Sequence, residues 1–575
     1  DRLPVPVDLE AMAGLDLYLT SRKKSLFFIY VQPDDPRSRI STIEPFVQGI
    51  RQAIDAQTLP SGVTCGLTGT PVYGLDDKQI IQQDISTLSL LSTVLVLAVF
   101  WLGLGQFVRP FLAMFSLLLG VAMTLGLISL YPGHLTLLSA SFASIIFGLG
   151  IDYGIHAIAR YREFVADGKF PEDALQQTAG TVGRSILVGV LTTAAVFFTM
   201  LASGFKGFRE LGIIAGIGVM LAFVVTFTTL PALLSLVDKR GSGKPEQERN
   251  WLPRLLIKAQ HPLITGIIAI ILLAGIFGGY PGFDTDYLAL QPKASEAVAL
   301  EREMVEKSDF STQFAAFVLP AEMEPGQLIH DLEAQPSVGR VQSLKQIADN
   351  LPPGFSANDL PTKTLELFSA EDGRQVVYAY PAENVWEPGP QATFVKDMLA
   401  VSEFVPTGMP FIGQFMMHRS EQALFRTGLL GFIVIVLLVG LDLRKPMKVF
   451  LAVLPTVLTI ASLHGFMSFM GMSFTPLNIM ALPLIIGIAV DDGVHIVHRF
   501  YEDAGDLSRT LIGAGRSVVL TSLTTLAAFG SLALTSHQGL RGFAVVLCIG
   551  VLMALLSSIL LLPAILKWHH RRQTR

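Results

Sequence analysis

The chain has 575 residues and a net charge of −5, half of it is hydrophobic, and only 15% is charged, against about 25% in soluble domains. Several apolar runs exceed the roughly 18 residues that cross a bilayer, which predicts a polytopic membrane protein and excludes a soluble one. No basic tract suggests a nucleic-acid partner, and the two cysteines, Cys65 and Cys548, are too few for a metal cluster.

The first polar segment, residues 1–84, is expected to form an extracytoplasmic α+β domain. Residues 26–31 are expected to form a buried strand and residues 63–67 a second strand, with a helix over 43–54 where apolar residues recur at helical spacing. The chain begins at Asp1 without an initiator methionine, a signal peptide or a leading apolar span. We therefore expect this domain to be truncated at its N-terminus.

Eleven apolar stretches are expected to cross the membrane as helices. Five lie in residues 85–237, at about 86–105, 111–131, 135–159, 185–203 and 210–236. After a charged cytoplasmic linker at 238–261, a sixth covers 262–280. The last five lie in residues 423–567, at about 424–441, 448–470, 474–498, 518–535 and 542–566, before a tail at 568–575. We number them as spans 2 to 12, because an internal repeat predicts twelve.

The second polar segment, residues 281–422, lies between spans 7 and 8 and is expected to be the second extracytoplasmic domain. Strands are expected at 314–319 and 376–380, and helices at 326–334 and 391–402.

Basic residues are concentrated in alternate loops. They include Arg160 and Arg162 after span 4 and Arg499 after span 10, whereas the loops at 131–134 and 470–473 contain no lysine or arginine. By the positive-inside rule the basic loops are cytoplasmic, and both polar domains are outside. We expect a multi-pass protein of a bacterial cytoplasmic membrane.

The two halves of the chain repeat each other. Thr68-Gly-Thr-Pro71 matches Thr407-Gly-Met-Pro410 at an offset of 339 residues, and beyond a shortened loop Gly183-Arg-Ser185 matches Gly515-Arg-Ser517 at 332. Six spans are an even number, so the two halves are expected to have the same orientation in the membrane. Eleven of the twelve expected spans are present in this chain.

A motif containing aspartate and histidine occurs once in each half, within spans 4 and 10. Gly148-Leu-Gly-Ile-Asp152-Tyr153-Gly-Ile-His156 matches Gly487-Ile-Ala-Val-Asp491-Asp492-Gly-Val-His495, again offset by 339 residues. An ionisable side chain at membrane depth costs about 3 kcal/mol on insertion scales, which makes each of these residues a functional candidate.

The chemistry of the motif suggests a proton relay. Residues four apart share a helix face, so Asp152 pairs with His156 and Asp491 with His495. An apolar environment disfavours a charged carboxylate, so proton uptake near neutral pH becomes feasible, and an imidazole could pass the proton on. The expected relay is Asp152, Asp491, Asp492, Tyr153, His156 and His495. The alternatives are a structural hydrogen bond for an aspartate, and an interfacial position for the histidines and His498.

Two further groups of residues could support the relay. Threonines on the following spans could hydrogen-bond the carboxylates, together with Ser522; they are Thr192, Thr193, Thr521, Thr524 and Thr525. Glycines allow close helix packing in membranes, and those of the motif are Gly148, Gly150, Gly154, Gly487 and Gly493.

The whole chain resembles the resistance-nodulation-division (RND) superfamily, and within it the hydrophobe and lipid exporters. Gly487-x-x-x-Asp491-Asp492 matches the Gly-x-x-x-Asp-Asp pattern of Patched-like members, and Gly148-x-x-x-Asp152-Tyr153 matches the Asp-Tyr variant of the mycobacterial large membrane proteins. The resemblance implies that these carboxylates carry protons whose movement drives the outer domains. The outer domains are too short for the insertions of trimeric drug-efflux pumps.

The leading hypothesis is a secondary transporter, not an enzyme, that exports a lipid or other hydrophobic molecule by proton antiport. Protons would bind alternately at Asp152 and at the Asp491/Asp492 pair, and the motion would open a cleft between the outer domains.

No Walker-type nucleotide motif, metal site or cofactor site is present. The expected partners are a membrane lipid, protons and a periplasmic acceptor protein, with the oligomeric state open. The alternatives are a sterol- or lipid-sensing receptor and a protein-translocation accessory of the same superfamily.

Overall fold

The computed structural model divides the chain into two compact units. One unit contains residues 1–80 and 285–418, and the other contains 81–284 and 419–575. The structure describes residues 19–20, 26–29, 31, 40–134, 142–204, 206–238, 251–284, 286–292, 295–307, 313–349, 360, 362–370 and 372–573.

The helices of the 81–284/419–575 unit match the predicted spans. Spans 2 to 7 correspond to Thr70–Leu104, Val108–Leu130, Phe142–Ala166, Pro171–Thr199, Lys206–Val237 and Pro262–Phe277. Spans 8 to 11 correspond to Met409–Leu443, Pro446–Phe469, Ala481–Glu502 and Arg516–Leu532. Span 12 comprises Gln538–Leu556, a π-helical turn at Ser557–Leu561 and Leu562–Gln573.

The polytopic α-helical class is therefore confirmed. In the described part of the chain, ten helices are long and apolar enough to cross a membrane, and span 7 is a shorter apolar helix of 16 residues.

The repeat is visible in the helix boundaries. Thr70–Leu104 and Met409–Leu443 are both 35 residues long, and their ends are related by the offset of 339 residues. Each helix follows a glycine at positive φ, +121° for Gly69 and +144° for Gly408, a conformation that side chains disfavour. The matching Thr-Gly-x-Pro motifs therefore mark the same turn into a long helix in both halves.

The 1–80/285–418 unit has the predicted α+β character. Strands Ala315–Leu319 and Val338–Gln342 pair antiparallel with the central strand Gln375–Pro381. Helices Gly326–Glu333 and Pro388–Val401 pack their apolar side chains against this sheet. The unit also contains the helices Ile40–Asp55, Tyr287–Leu290, Glu296–Lys307, Leu344–Asp349 and Thr362–Phe368.

Two local predictions in the first polar segment are wrong. Residues 63–67 form no strand. Among the described residues of the 26–31 segment, only Phe27–Phe28 forms a strand, which pairs with Leu19–Thr20. These residues are not a buried strand, because Phe27 is 68% and Ile29 86% exposed. Both segments are apolar but too short for periodicity to distinguish a strand from an extended loop.

The predicted linker at 238–261 contains a helix that the sequence analysis missed, Trp251–Ala259. Leu252 and Leu256 are buried in a cluster with residues of spans 10 and 12. The basic residues of this short helix obscured its apolar face in the sequence.

Candidate functional site

The two motif helices are the most buried spans of the described chain. Over an 18-residue apolar stretch of each helix, 83% of span 4 and 94% of the helix that contains span 10 is buried, against at most 72% in the other spans. Side chains on these two helices are therefore removed from lipid, and the motif residues lie where the two halves meet.

A small internal cavity, which we call the carboxylate cavity, lies between the halves. Span 4 contributes Asp152, Tyr153 and His156, and span 10 contributes Gly487, Asp491 and Asp492. Its other walls are formed by Leu149 and Ile488, by Thr193 of span 5, and by Thr521, Ser522 and Thr525 of span 11. The space holds no more than about one water molecule. The carboxylates of the two halves thus share one cavity.

The carboxylates have unmet hydrogen-bonding capacity. Oδ1 of Asp152, Oδ1 of Asp491 and Oδ2 of Asp492 are buried and make no hydrogen bond within the described chain, and Oγ of Ser522 is in the same situation. Asp152 is 8% and Asp492 6% exposed. A buried charged carboxylate without partners is costly, so this environment favours binding of a proton or another neutralising group.

The two motif histidines meet across the interface between the halves. The rings of His156 and His495 are stacked, with centroids 4.2 Å apart and planes inclined by 15°. Nε2 of His495 lies 3.3 Å from Oδ1 of Asp491, an ion-pair distance at which neither atom has hydrogen-bond geometry. Two positive charges 4.2 Å apart would repel by about 4 kcal/mol at an effective dielectric constant of about 20.

Tyr153 occupies the position that Asp492 has in the second half. Its side chain is 4% exposed, lines the carboxylate cavity, and packs edge-on against Phe223 of span 6 with centroids 6.1 Å apart.

Four of the five predicted threonines donate to main-chain carbonyl oxygens rather than to the carboxylates. Thr192 donates to the carbonyl oxygens of Val188 and Gly189. Thr521 and Thr524 also bond carbonyl oxygens of their own helix.

Two threonines face the opposite half in a symmetric way. Thr525 donates to the carbonyl oxygen of Gly148 at 3.0 Å. The counterparts of Gly148 and Thr525 are Gly487 and Thr193. If Gly487 carried a Cβ, it would lie 3.2 Å from Oγ1 of Thr193. Span 4 thus packs on span 11, and span 10 packs on span 5, so the fourth helix of each half contacts the fifth helix of the other half.

The motif glycines lie at close helix contacts. A Cβ on Gly154 would lie 2.7 Å from the Cβ of Ala113, and one on Gly493 would overlap the carbonyl oxygen of Ala452. Both pairs are related by the offset of 339 residues. Added Cβ atoms would crowd Leu117 at Gly150 and Phe529 at Gly148.

The sequence analysis missed Gly189, on span 5. A Cβ there would overlap the carboxylate of Asp491, so the absence of a side chain lets this carboxylate lie against span 5. The equivalent residue in the second half is Thr521, which lines the same cavity. Comparison of the halves at the offset of 332 residues would have revealed this exchange of glycine for threonine.

The analysis also missed Asp442, at the end of span 8. Its side chain is 5% exposed, its Oδ2 pairs with Nε2 of His498, and its Oδ1 lies 3.4 Å from Nη2 of Arg184. The available signal was that Asp442 has no acidic counterpart in the first half, where Gly103 stands at the equivalent position.

Two repeated helical halves with buried carboxylates at their interface form the architecture implied by the resemblance to RND transporters. The MMPL family matches residues 38–263, and the Patched SSD family matches residues 428–568. Residues 38–263 are thus similar to the MMPL family and residues 428–568 to the Patched SSD family, in agreement with the resemblance to the RND superfamily.

Two curated relatives cover most of the chain, and a third covers less than half of it. A hopanoid transporter, HpnN, of Burkholderia multivorans is 22% identical over 95% of this chain and 74% of its own length. HpnN of Rhodopseudomonas palustris is 23% identical, with coverage of 94% and 74%. The sulfolipid-1 exporter MmpL8 of Mycobacterium tuberculosis is 25% identical over 40% of this chain and 22% of its own length.

Solved structures share the fold. SecDF, a translocon-associated membrane protein from Thermus thermophilus, aligns with a TM-score of 0.55 and 18% identity, covering 94% of this chain and 76% of that one. SecDF in its super-membrane-facing form gives a TM-score of 0.54 at 19% identity, covering 88% of this chain and 64% of that one.

Proposed function

We propose that this protein exports a lipid or another hydrophobic molecule from a bacterial cytoplasmic membrane, driven by the proton-motive force. The observation that supports the proposal most strongly is the carboxylate cavity, in which three aspartates lie together with buried oxygens that make no hydrogen bond. A structural aspartate would be expected to have its hydrogen bonds satisfied. An aspartate that exchanges protons needs a position where its charged and neutral forms have comparable free energies.

The proposed cycle moves one proton at a time through the cavity. A proton from the outside binds an oxygen of Asp152, Asp491 or Asp492 and lowers the negative charge between the halves. The repulsion between the carboxylates then weakens, which alters the packing of spans 4 and 10. The proton leaves through the histidine stack toward the cytoplasm. Because the three carboxylates share one space, binding at Asp152 and at the Asp491/Asp492 pair is coupled rather than independent.

A lipid substrate is supported by the relatives, two of which are named hopanoid transporters and one a sulfolipid-1 exporter. The likeness to SecDF concerns the fold alone, so it gives the translocation alternative no support beyond the shared architecture. A lipid-sensing receptor would bind the same class of molecule without coupled turnover.

A transport assay separates these functions. Purified protein in vesicles of phosphatidylethanolamine, phosphatidylglycerol and a hopanoid is expected to move the hopanoid faster when the compartment facing the outer domains is acidified at constant pH on the other side. A protonophore should remove this acceleration, since no proton gradient then remains. Hopanoid transfer that is unaffected by the gradient would contradict proton coupling. Tight hopanoid binding without any transfer would indicate a sensor.

A further inference from the structure

A second cavity adjoins the carboxylate cavity on the side that the loop charges predict to be cytoplasmic; we call it the vestibule. His156 lines both cavities, and His495, which stacks on it, lines the vestibule, so the stacked imidazoles lie where the two cavities adjoin. The vestibule is larger, with room for a few water molecules. A proton that passes the histidine stack therefore arrives in this space.

Most of the vestibule follows the internal repeat. Arg160 and Glu163 of span 4 correspond to Arg499 and Glu502 of span 10 at the offset of 339 residues, and all four line the cavity. Arg499 contacts Glu163 of the other half at 3.2 Å, and Arg160 pairs with Glu163 at 2.5 Å. These charges compensate each other and tie the two halves together.

The repeat is broken at one place in this wall. His498 lines the vestibule, and its counterpart in the first half is Ala159, which lines it too. The partner of His498 is Asp442, whose counterpart is Gly103. The second half thus has a titratable pair where the first half has neither an acid nor a base.

The arginines behind this wall show the same asymmetry. Arg184 lies 3.4 Å from Asp442, whereas its counterpart, Arg516, donates to the main-chain carbonyl oxygen of Gly103 at 2.9 Å. The helix that faces the vestibule also differs, because Leu511–Gly515 forms a π-helical turn, while residues 179–183 lie within the regular helix Pro171–Thr199. Such turns often occur at functional sites.

We propose that the Asp442–His498 pair is the proton outlet of the transporter, so that protons leave through the second half only. This inference depends on the proposed proton coupling. His498 accepts a proton from vestibule water, the carboxylate of Asp442 compensates the charge of the imidazolium, and the proton then passes to cytoplasmic water. At 24% exposure, His498 can exchange with solvent, while Asp442 is held at 5% exposure beside Arg184. The other charged or titratable side chains around His498 are His156, Arg160, Glu163, His495, Arg499 and Glu502.

Two variants test the outlet. Asp442→Asn removes the carboxylate, and His498→Ala installs the residue that the first half carries at position 159, so the wall should tolerate it. Both are expected to slow proton release into a pyranine-containing compartment at least about tenfold, with proton uptake by the carboxylate cavity unchanged. Their residual flux should depend less on the pH of the cytoplasmic side than the flux of the unmodified protein, because the pair can no longer take up and release a proton.

Asp238→Asn is the matched control. The side chain of Asp238 is also largely buried, at 15% exposure, and it pairs with an arginine, Arg109, at 3.1 Å, but it does not line the vestibule. Its variant should keep the flux and the pH profile of the unmodified protein. If Asp442→Asn and His498→Ala behave like Asp238→Asn, the outlet is refuted and proton coupling stands. If the unmodified protein shows no hopanoid-dependent proton flux, both proposals fail.

Discussion

Replacing Asp491 or Asp152 by Asn should reduce proton-driven hopanoid export to the background of protein-free vesicles. The amide has nearly the same shape but cannot bind or release the coupled proton. Because Oδ1 of each aspartate makes no hydrogen bond in the described chain, the substitution removes none there and the fold should persist. The measurement is hopanoid transfer in vesicles under an imposed pH gradient, with folding checked by thermal unfolding and insertion by recovery of the protein with the vesicles.

The control for these variants is again Asp238→Asn, in which the same chemical change is made outside the carboxylate cavity. Its carboxylate accepts a hydrogen bond from the hydroxyl of Tyr161 at 2.9 Å, so a general effect of losing a buried carboxylate would appear there first. An Asp491→Asn or Asp152→Asn protein that inserts normally and exports at the unmodified rate would refute the role of that aspartate.

Gly493→Ala should destabilise the protein by about 1–3 kcal/mol, because the new methyl group overlaps a rigid neighbour. The clash is with the main-chain carbonyl oxygen of Ala452 on span 9, which cannot rotate away as a side chain could. Spans 9 and 10 would have to separate, and Asp491 and Asp492 would move with span 10. Thermal unfolding of the purified protein in detergent measures the loss directly.

Gly440→Ala is a matched substitution in span 8, where an added Cβ meets nothing within 4 Å. Alanine at an uncrowded helix position is favoured over glycine by about 0.5–1 kcal/mol, so this variant should be neutral or slightly more stable. Equal stabilities of the Gly493→Ala and Gly440→Ala proteins would show that the contact between spans 9 and 10 can relax.

Much of the membrane architecture could be predicted from the sequence because its determinants are local. Apolar runs fix the spans, and the offset of 339 residues relates the boundaries of Thr70–Leu104 and Met409–Leu443 residue by residue. The prediction of a short strand at 63–67 was wrong because strand formation depends on a pairing partner, which a short segment does not specify. A helix of the membrane, by contrast, satisfies its own backbone.

The contacts between the two motifs could not be predicted from the sequence, although both were assigned to one relay. The spacing placed Asp152 beside His156 and Asp491 beside His495, but the stack of His156 on His495 depends on how spans 4 and 10 pack. A role for Asp442 was not predicted for a related reason. An acid at the end of a span is usually solvated, and the burial of Asp442 and its pairing with His498 depend on how the helices pack.

The central claim, that the buried carboxylates bind and release the coupled proton, is tested most directly by infrared difference spectroscopy of the purified protein between acidic and alkaline pH. We predict a carbonyl-stretch band of a protonated carboxyl group that appears on acidification and is lost or diminished in Asp152→Asn and Asp491→Asn, but not in Asp238→Asn. A spectrum without such a band, or with the same band in all variants, would contradict the account.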